Sequence, residues 1–254
     1  MVEFFEILLN KSPDGGIEYL RTHPLSSNRV SEAKDRLDKK SEDLPSNSLD
    51  FQFTKARLAV LLSKQPAYYL DDNVVGHGII GQYQKALAAI STQNADLAIQ
   101  ILEKNKEKHQ HPWLRLALAE AYSSKQEDEK ALEVLSSLAK LYPGYLPVTM
   151  AYVSALNNNK MPEKSIALLK KQLQSDDYAI IYKALANAYY SNGQISAALE
   201  STGNQYVREG YIELAIQQYD NALRQENISP STKQRLEAAK IELKKVIQKY
   251  KDQL

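Results

Sequence analysis

Four histidines, His23, His77, His109 and His111, are the side chains of this sequence best suited to metal binding or proton transfer. Their spacing argues against both. No H-E-x-x-H occurs, so the two-histidine zinc helix of a metallopeptidase is missing. His109 and His111 lie two residues apart, on different sides of any helix, and Pro112 puts them in a loop. They read as a solvated loop pair. The paired carboxylates Asp71-Asp72 and Asp176-Asp177 stand at expected helix boundaries and read as helix-end charges. No G-x-S-x-G and no phosphate-binding loop is present. With no cysteine, the chain has no disulfide, zinc-thiolate site or cysteine nucleophile. The chemistry left is recognition by side-chain amides, hydroxyls and charges.

Those groups need elements to position them, and the elements repeat. A small residue followed by a bulky one recurs as Ala98-Ile99, Ala131-Leu132, Ser165-Ile166 and Ala198-Leu199, at steps of 33, 34 and 33 residues. Twelve residues before these anchors stand Ala86, Ala119, Val153 and Ala186, and nine before them Ala89, Tyr122, Leu156 and Tyr189. This is the layout of the 34-residue tetratricopeptide (TPR) repeat, a helix–turn–helix unit. Small residues let paired helices approach closely, and the tyrosines fill the gap to the next pair. A fifth anchor, Ala215-Ile216, follows only 17 residues after Ala198, with Gly203 and Tyr206 at its own partner positions. The helix over 195–209 is therefore expected to serve two hairpins.

The fold class expected is all-α, a TPR-type helical-hairpin solenoid over 49–230. Turns fall at 91–94, 123–128, 157–162 and 192–193, where asparagine and glycine supply left-handed helix ends. A helix is expected over 50–63, and one or two more over 67–89. Ser229-Pro230 starts a last, capping helix over 231–254. Its seven basic and three acidic residues between 231 and 252 suit a solvated cap, or a surface for an acidic partner or lipid. The polar, proline-containing stretch 41–48 reads as a linker, and 1–40 as a separate piece.

Composition narrows the function classes. There are 32 basic and 31 acidic residues, a net charge of +1, which disfavours a helical-repeat RNA binder. No apolar run approaches the roughly 18 residues of a membrane span. In TPR geometry the first helices line a concave face, with residues 15, 11, 8 and 7 before each anchor pointing inward. These are Leu116, Glu120, Ser123 and Ser124, then Met150, Ser154, Asn157 and Asn158, then Lys183, Asn187, Tyr190 and Ser191. Asparagine amides there suit an extended peptide backbone. Lys183 with Asn187 resembles half of a carboxylate clamp, with Ser201 where a second clamp residue would sit. The face is expected to hold proteins or extended peptides, unless the chain's own terminal helices or a peptidase domain fill it. Tyr122, Tyr189 and Tyr206 read as packing residues.

The segment Glu3–Leu37 carries a family resemblance. Phe4-Phe5, Tyr19-Leu20, Thr22-His23-Pro24-Leu25, Asn28-Arg29-Val30, Ala33 and Arg36 resemble the end of the peptidase domain in BepA-type periplasmic zinc metallopeptidases, which are related to HtpX-like enzymes. Lys55-Ala56-Arg57-Leu58, the repeats and the Gly210–Ala215 segment agree in order. The resemblance implies that 1–40 is the remnant of such a domain and that the chain is the enzyme's C-terminal part. The zinc-binding H-E-x-x-H and downstream glutamate precede it in the family, so Zn2+ belongs to the parent protein, and no peptide hydrolysis is expected from this chain alone. The resemblance also implies that His23 lies near the zinc and caps its open position; the plainer role is a turn residue before Pro24. It further implies a Gram-negative periplasm, with outer-membrane assembly components or client proteins as partners. The alternative is a stand-alone TPR adaptor with no protease association, cytoplasmic or envelope-associated.

Overall fold

The computed structural model describes residues 48–104, 111–226 and 228–251. The chain divides into two compact units, Met1–Gln52 and Phe53–Leu254, and the packing below concerns the second. The expectations for 1–40, for His23 and for most of the 41–48 linker lie outside the described residues.

Described helices run α1 (Leu49–Leu61), α2 (Asp72–Val75), α3 (Ile79–Ser91), α4 (Ala95–Glu103), α5 (Pro112–Ser124), α6 (Asp128–Leu141), α7 (Leu146–Asn158), α8 (Pro162–Gln172), α9 (Ala179–Ser191), α10 (Ile195–Glu209), α11 (Ile212–Leu223) and α12 (Pro230–Lys251). A 3-10 turn at Pro66–Leu70 precedes α2. From α3 onward each helix packs on the next as consecutive antiparallel hairpins. The small anchors are the reason this stacking is close. Ala98, Ala131, Ser165 and Ala215 are fully buried and Ala198 nearly so. Ala86, Ala119, Val153 and Ala186 are buried opposite them.

The turns show how the period is written in backbone geometry. Left-handed residues occur at Gln93, Gln126, Lys160 and Gly193, at the anchors' own steps of 33, 34 and 33. Each turn is closed by a bond from the following N–H to a carbonyl five residues back: Asn94 to Ala89, Glu127 to Tyr122, Met161 to Leu156 and Gln194 to Tyr189. Asparagine is the residue expected at the left-handed positions, but three of the four are Gln or Lys. The neighbouring asparagines do other work: Asn94 caps α4 by accepting from Leu97 N–H at 3.2 Å.

The half-step at Ala215 is real. α10 packs on both α9 and α11, as second helix of one hairpin and first of the next. α12 starts as expected, with Pro230 at its first position and Ser229 Oγ accepting from Thr232 N–H at 3.1 Å.

A buried polar knot ties α7 to α8. Gln172 is 4% exposed. It accepts from Thr149 Oγ1 at 2.9 Å and donates to the Gly144 carbonyl at 3.0 Å and to Asp176. Replacing Gln172 with leucine strands the Thr149 hydroxyl and the Gly144 carbonyl. Urea denaturation is expected to show a loss of about 2 kcal/mol. Adding Thr149→Val is expected to recover part of it, because the hydroxyl then no longer needs a partner. Strictly additive losses would show that the bond does not couple these residues.

Candidate functional site

The candidate site is the concave face built by the first helices of the hairpins, α3, α5, α7 and α9. The inward offsets land on Tyr83 and Leu87 in α3, which are 0% and 3% exposed. In α5 they land on Leu116, 8% exposed, and on Glu120, whose side chain is 39% exposed. In α7, Met150 is half-buried against the α7–α9 core, while Ser154 and Asn158 are exposed. In α9, Lys183, Asn187 and Tyr190 are all exposed, Tyr190 at 70%. The face thus passes from closed to open along the chain.

What closes it is α1. The Phe53 ring meets Tyr83 edge-on at 4.9 Å and stacks on His111 at 4.4 Å. Ala56 and Val60 are buried in the same cluster. Arg57 Nη2 donates to Glu120 Oε2 at 3.0 Å. Burial alone would lower the Arg57 pKa, but the charge of Glu120 and the neighbouring Tyr83 hydroxyl outweigh it and hold it above the ordinary value. His111 is therefore no solvated loop residue: it sits at the start of α5 under Phe53. His109 lies outside the described residues.

Beyond Arg57 the face opens into a cleft of about 360 Å³ between α5 and α7. Leu116, Ala119, Leu135 and Ala151 form its apolar floor, Trp113 and Pro147 one wall, and Glu120, Ser123, Ser154 and Asn158 its polar rim. The structure thus gathers Glu120, Ser123, Ser154 and Asn158 at one place. Met150, Asn157, Lys183, Asn187 and Tyr190 are not part of this cleft.

Two of the expected peptide-binding amides are engaged within the fold. Asn157 Oδ1 accepts from Ser165 Oγ at 2.7 Å, and Asn158 Nδ2 donates to Asp128 Oδ1 at 3.2 Å. Among the described residues, Lys183, Asn187 and Tyr190 make no such bond, so α9 presents the unengaged polar row. Ser201 is 3% exposed and bonded to the Ala197 carbonyl at 2.8 Å, which leaves the half clamp of Lys183 and Asn187 without a second half there. Tyr122 and Tyr189 are buried packing residues, and Tyr206 is half-buried against Tyr211. The Tyr122 hydroxyl donates to Glu103 at 2.6 Å, and burial with that carboxylate pushes its pKa to about 12.

Arg57, Trp113 and Ala151 were missed by the offset reading. So was a cluster at the far edge of α9, where Arg208 pairs with Asp177 at 2.7 Å and lies 5.3 Å from the Tyr182 ring centroid. The hydrogen bond from Arg208 holds the Asp177 carboxyl below its ordinary range. Asp72 pairs with Lys85 at 2.8 Å and Asp71 caps α2, so both carboxylate pairs work at helix ends. Among the described residues no three His, Asp or Glu side chains converge to hold a metal, and no helix is long and apolar enough to cross a membrane.

The period, the turns and the inward-facing row define the described chain as a TPR-type solenoid. No family model matches the sequence, and no curated protein does. Solved structures similar to it include MamA MSR-1, at 18% identity and TM-score 0.46 over 64% of this chain and 94% of that one. YrrB, described as a TPR protein with an unusual peptide-binding site, aligns at 14% identity and TM-score 0.47, over 72% of this chain and 95% of its own. TTC0263, a thermophilic TPR protein of Thermus thermophilus, aligns at 20% and 0.47, over 76% and 98%. At these levels the likenesses carry no functional argument. No match supports the peptidase resemblance.

Proposed function

We propose that the chain is a TPR adaptor that holds a peptide segment of a partner protein along its concave face. The observation that carries this is the open cleft between α5 and α7, with an apolar floor and a polar rim; Lys183, Asn187 and Tyr190 stand exposed at the same inward offsets of the next repeat. A floor of this kind takes one bulky apolar side chain, while the hydroxyls of Ser123 and Ser154 on the rim meet polar groups of the segment beside it. Ala151→Trp fills the cleft from α7. Peptides selected from a display library on the parent chain are expected to lose about 100-fold in affinity for this variant, in line with a hot-spot pocket. Glu133→Ala, on the exposed side of α6, is expected to change nothing. Equal effects from both substitutions would remove the concave face as the binding surface.

The resemblance of Glu3–Leu37 favours a finer reading, in which this adaptor docks a periplasmic zinc metallopeptidase onto outer-membrane assembly components or their clients. Zinc has no seat among the described residues, since a protein site needs three or four converging ligands. In this reading the metal and the hydrolysis belong to the rest of the enzyme. Fractionation of the source cells checks the compartment: recovery in the cytoplasm would leave only the plain adaptor.

A further inference from the structure

The closed end of the groove shows what the groove accepts. α1 places Phe53, Ala56, Arg57 and Val60 on one stripe, at relative positions 0, 3, 4 and 7. That is the anchor spacing of an amphipathic helix laid into a groove. Three of the four are buried, and the fourth reaches an inward-facing carboxylate. Outside this stripe α1 meets solvent, with Leu61 on its flank 56% exposed and Leu58 on the far side 50% exposed. α1 is therefore not enclosed by the fold. It is joined to the solenoid through the short non-helical stretch 62–65. Its arginine also forms the edge of the open cleft.

We propose that α1 is a built-in, displaceable occupant of the concave groove. Its partner is an amphipathic helix that presents an aromatic residue, a small residue three positions on, an arginine four on and an aliphatic residue seven on. Such a helix takes over the contacts with Tyr83, His111 and Glu120, and α1 swings away about residues 62–65. The inference rests on the reading of the concave face as a binding surface and adds the partner's chemistry and the means of its regulation. A segment tethered beside its site competes at high effective concentration, so the end of the groove at Tyr83, His111 and Glu120 is sparsely available until a stronger helix arrives, while the α5–α7 cleft stays open.

The probe is a fluorescent peptide of residues 49–62, titrated into the full chain and into a full-length Phe53→Ala/Arg57→Ala variant. Binding to the variant is expected to be at least about tenfold tighter, because the in-chain competitor is weakened. A peptide carrying Arg57→Glu is expected to lose that binding and to regain it on a variant that also carries Glu120→Arg. Circular dichroism monitors folding of the variants. In the unmodified chain, saturating peptide is expected to raise amide exchange over 53–61 while α5 to α7 stay protected. No peptide binding to a folded variant, with library peptides still blocked by Ala151→Trp, overturns the displaceable helix and leaves the adaptor reading intact. If library peptides ignore Ala151→Trp as well, both readings fall. Sedimentation showing that α1 exchanges between two copies of the chain would make the occupant a second copy and overturn the partner helix.

Discussion

Gly203→Leu is expected to cost about 3 kcal/mol, at the upper end of overpacking penalties, and to lower the melting temperature by roughly 6–12 °C. Gly203 lies buried on α10, facing α11. A Cβ built there would stand 2.3 Å from Tyr219 Cε1 and 2.6 Å from Cδ1, far inside contact distance. The ring cannot easily yield. Tyr219 is 3% exposed, and its hydroxyl donates to Asn204 Oδ1 at 2.6 Å, which fixes both ends of the side chain. Alanine at 203 meets the same obstacle with its first carbon, but gains about 1 kcal/mol of helix propensity over glycine, so a smaller net loss is expected. Adding Tyr219→Ala to Gly203→Leu removes the obstructing ring. The double variant is expected to be more stable than the sum of the single losses allows, by at least about 1 kcal/mol. Chemical denaturation of the four proteins reads this coupling. Tolerance of leucine within about 0.5 kcal/mol would mean that α10 and α11 do not meet across Gly203.

Gly203 also shows what was legible in the sequence. It is the small residue twelve positions before an anchor, equivalent to Ala86, Ala119, Val153 and Ala186, and all five are buried. A repeat records what every hairpin must do, so helix order, anchors and the double use of α10 could be read from spacing. Contacts made only once leave no such record. Arg57 and Glu120 are 63 residues apart, and no period links them. The loss of Asn157 and Asn158 to Ser165 and Asp128 was hidden for the same reason. One signal was readable and went unused. At eleven residues before successive anchors stand Leu87, Glu120, Ser154 and Asn187, a passage from apolar to polar. An inward position that is apolar in the first repeat and amide in the fourth says that something covers one end of the groove. The left-handed Gln93, Gln126 and Lys160 were obscured differently: the turn's closing hydrogen bond imposes their conformation, at a cost residue preference alone would avoid.

At the other end of the solenoid, Leu236→Ala is expected to detach α12 rather than to weaken the whole. Of this helix's described side chains only Leu236 is buried, at 1%, against Tyr219 and Ala222. Truncating a buried leucine costs about 2–5 kcal/mol. The ion pairs of Arg235 with Glu200, at 2.8 Å, and of Lys240 with Asp220 do not make up for it. Arg235 is 58% exposed, so its pair is worth less than about 1 kcal/mol. In a solenoid each helix holds only to its neighbours, so a terminal interface can open by itself and the loss cannot exceed its docking energy. Urea unfolding is therefore expected to split. An early transition of small slope removes the helicity of α12, and a later one keeps nearly the parent midpoint. Amide exchange should become fast over 230–251 and stay slow over α5 to α7. Opening this interface uncovers Tyr219 and Ala222, so association that grows with protein concentration should accompany the early transition. A single transition with unchanged slope and a lowered midpoint would instead make α12 part of one cooperative unit with the repeats.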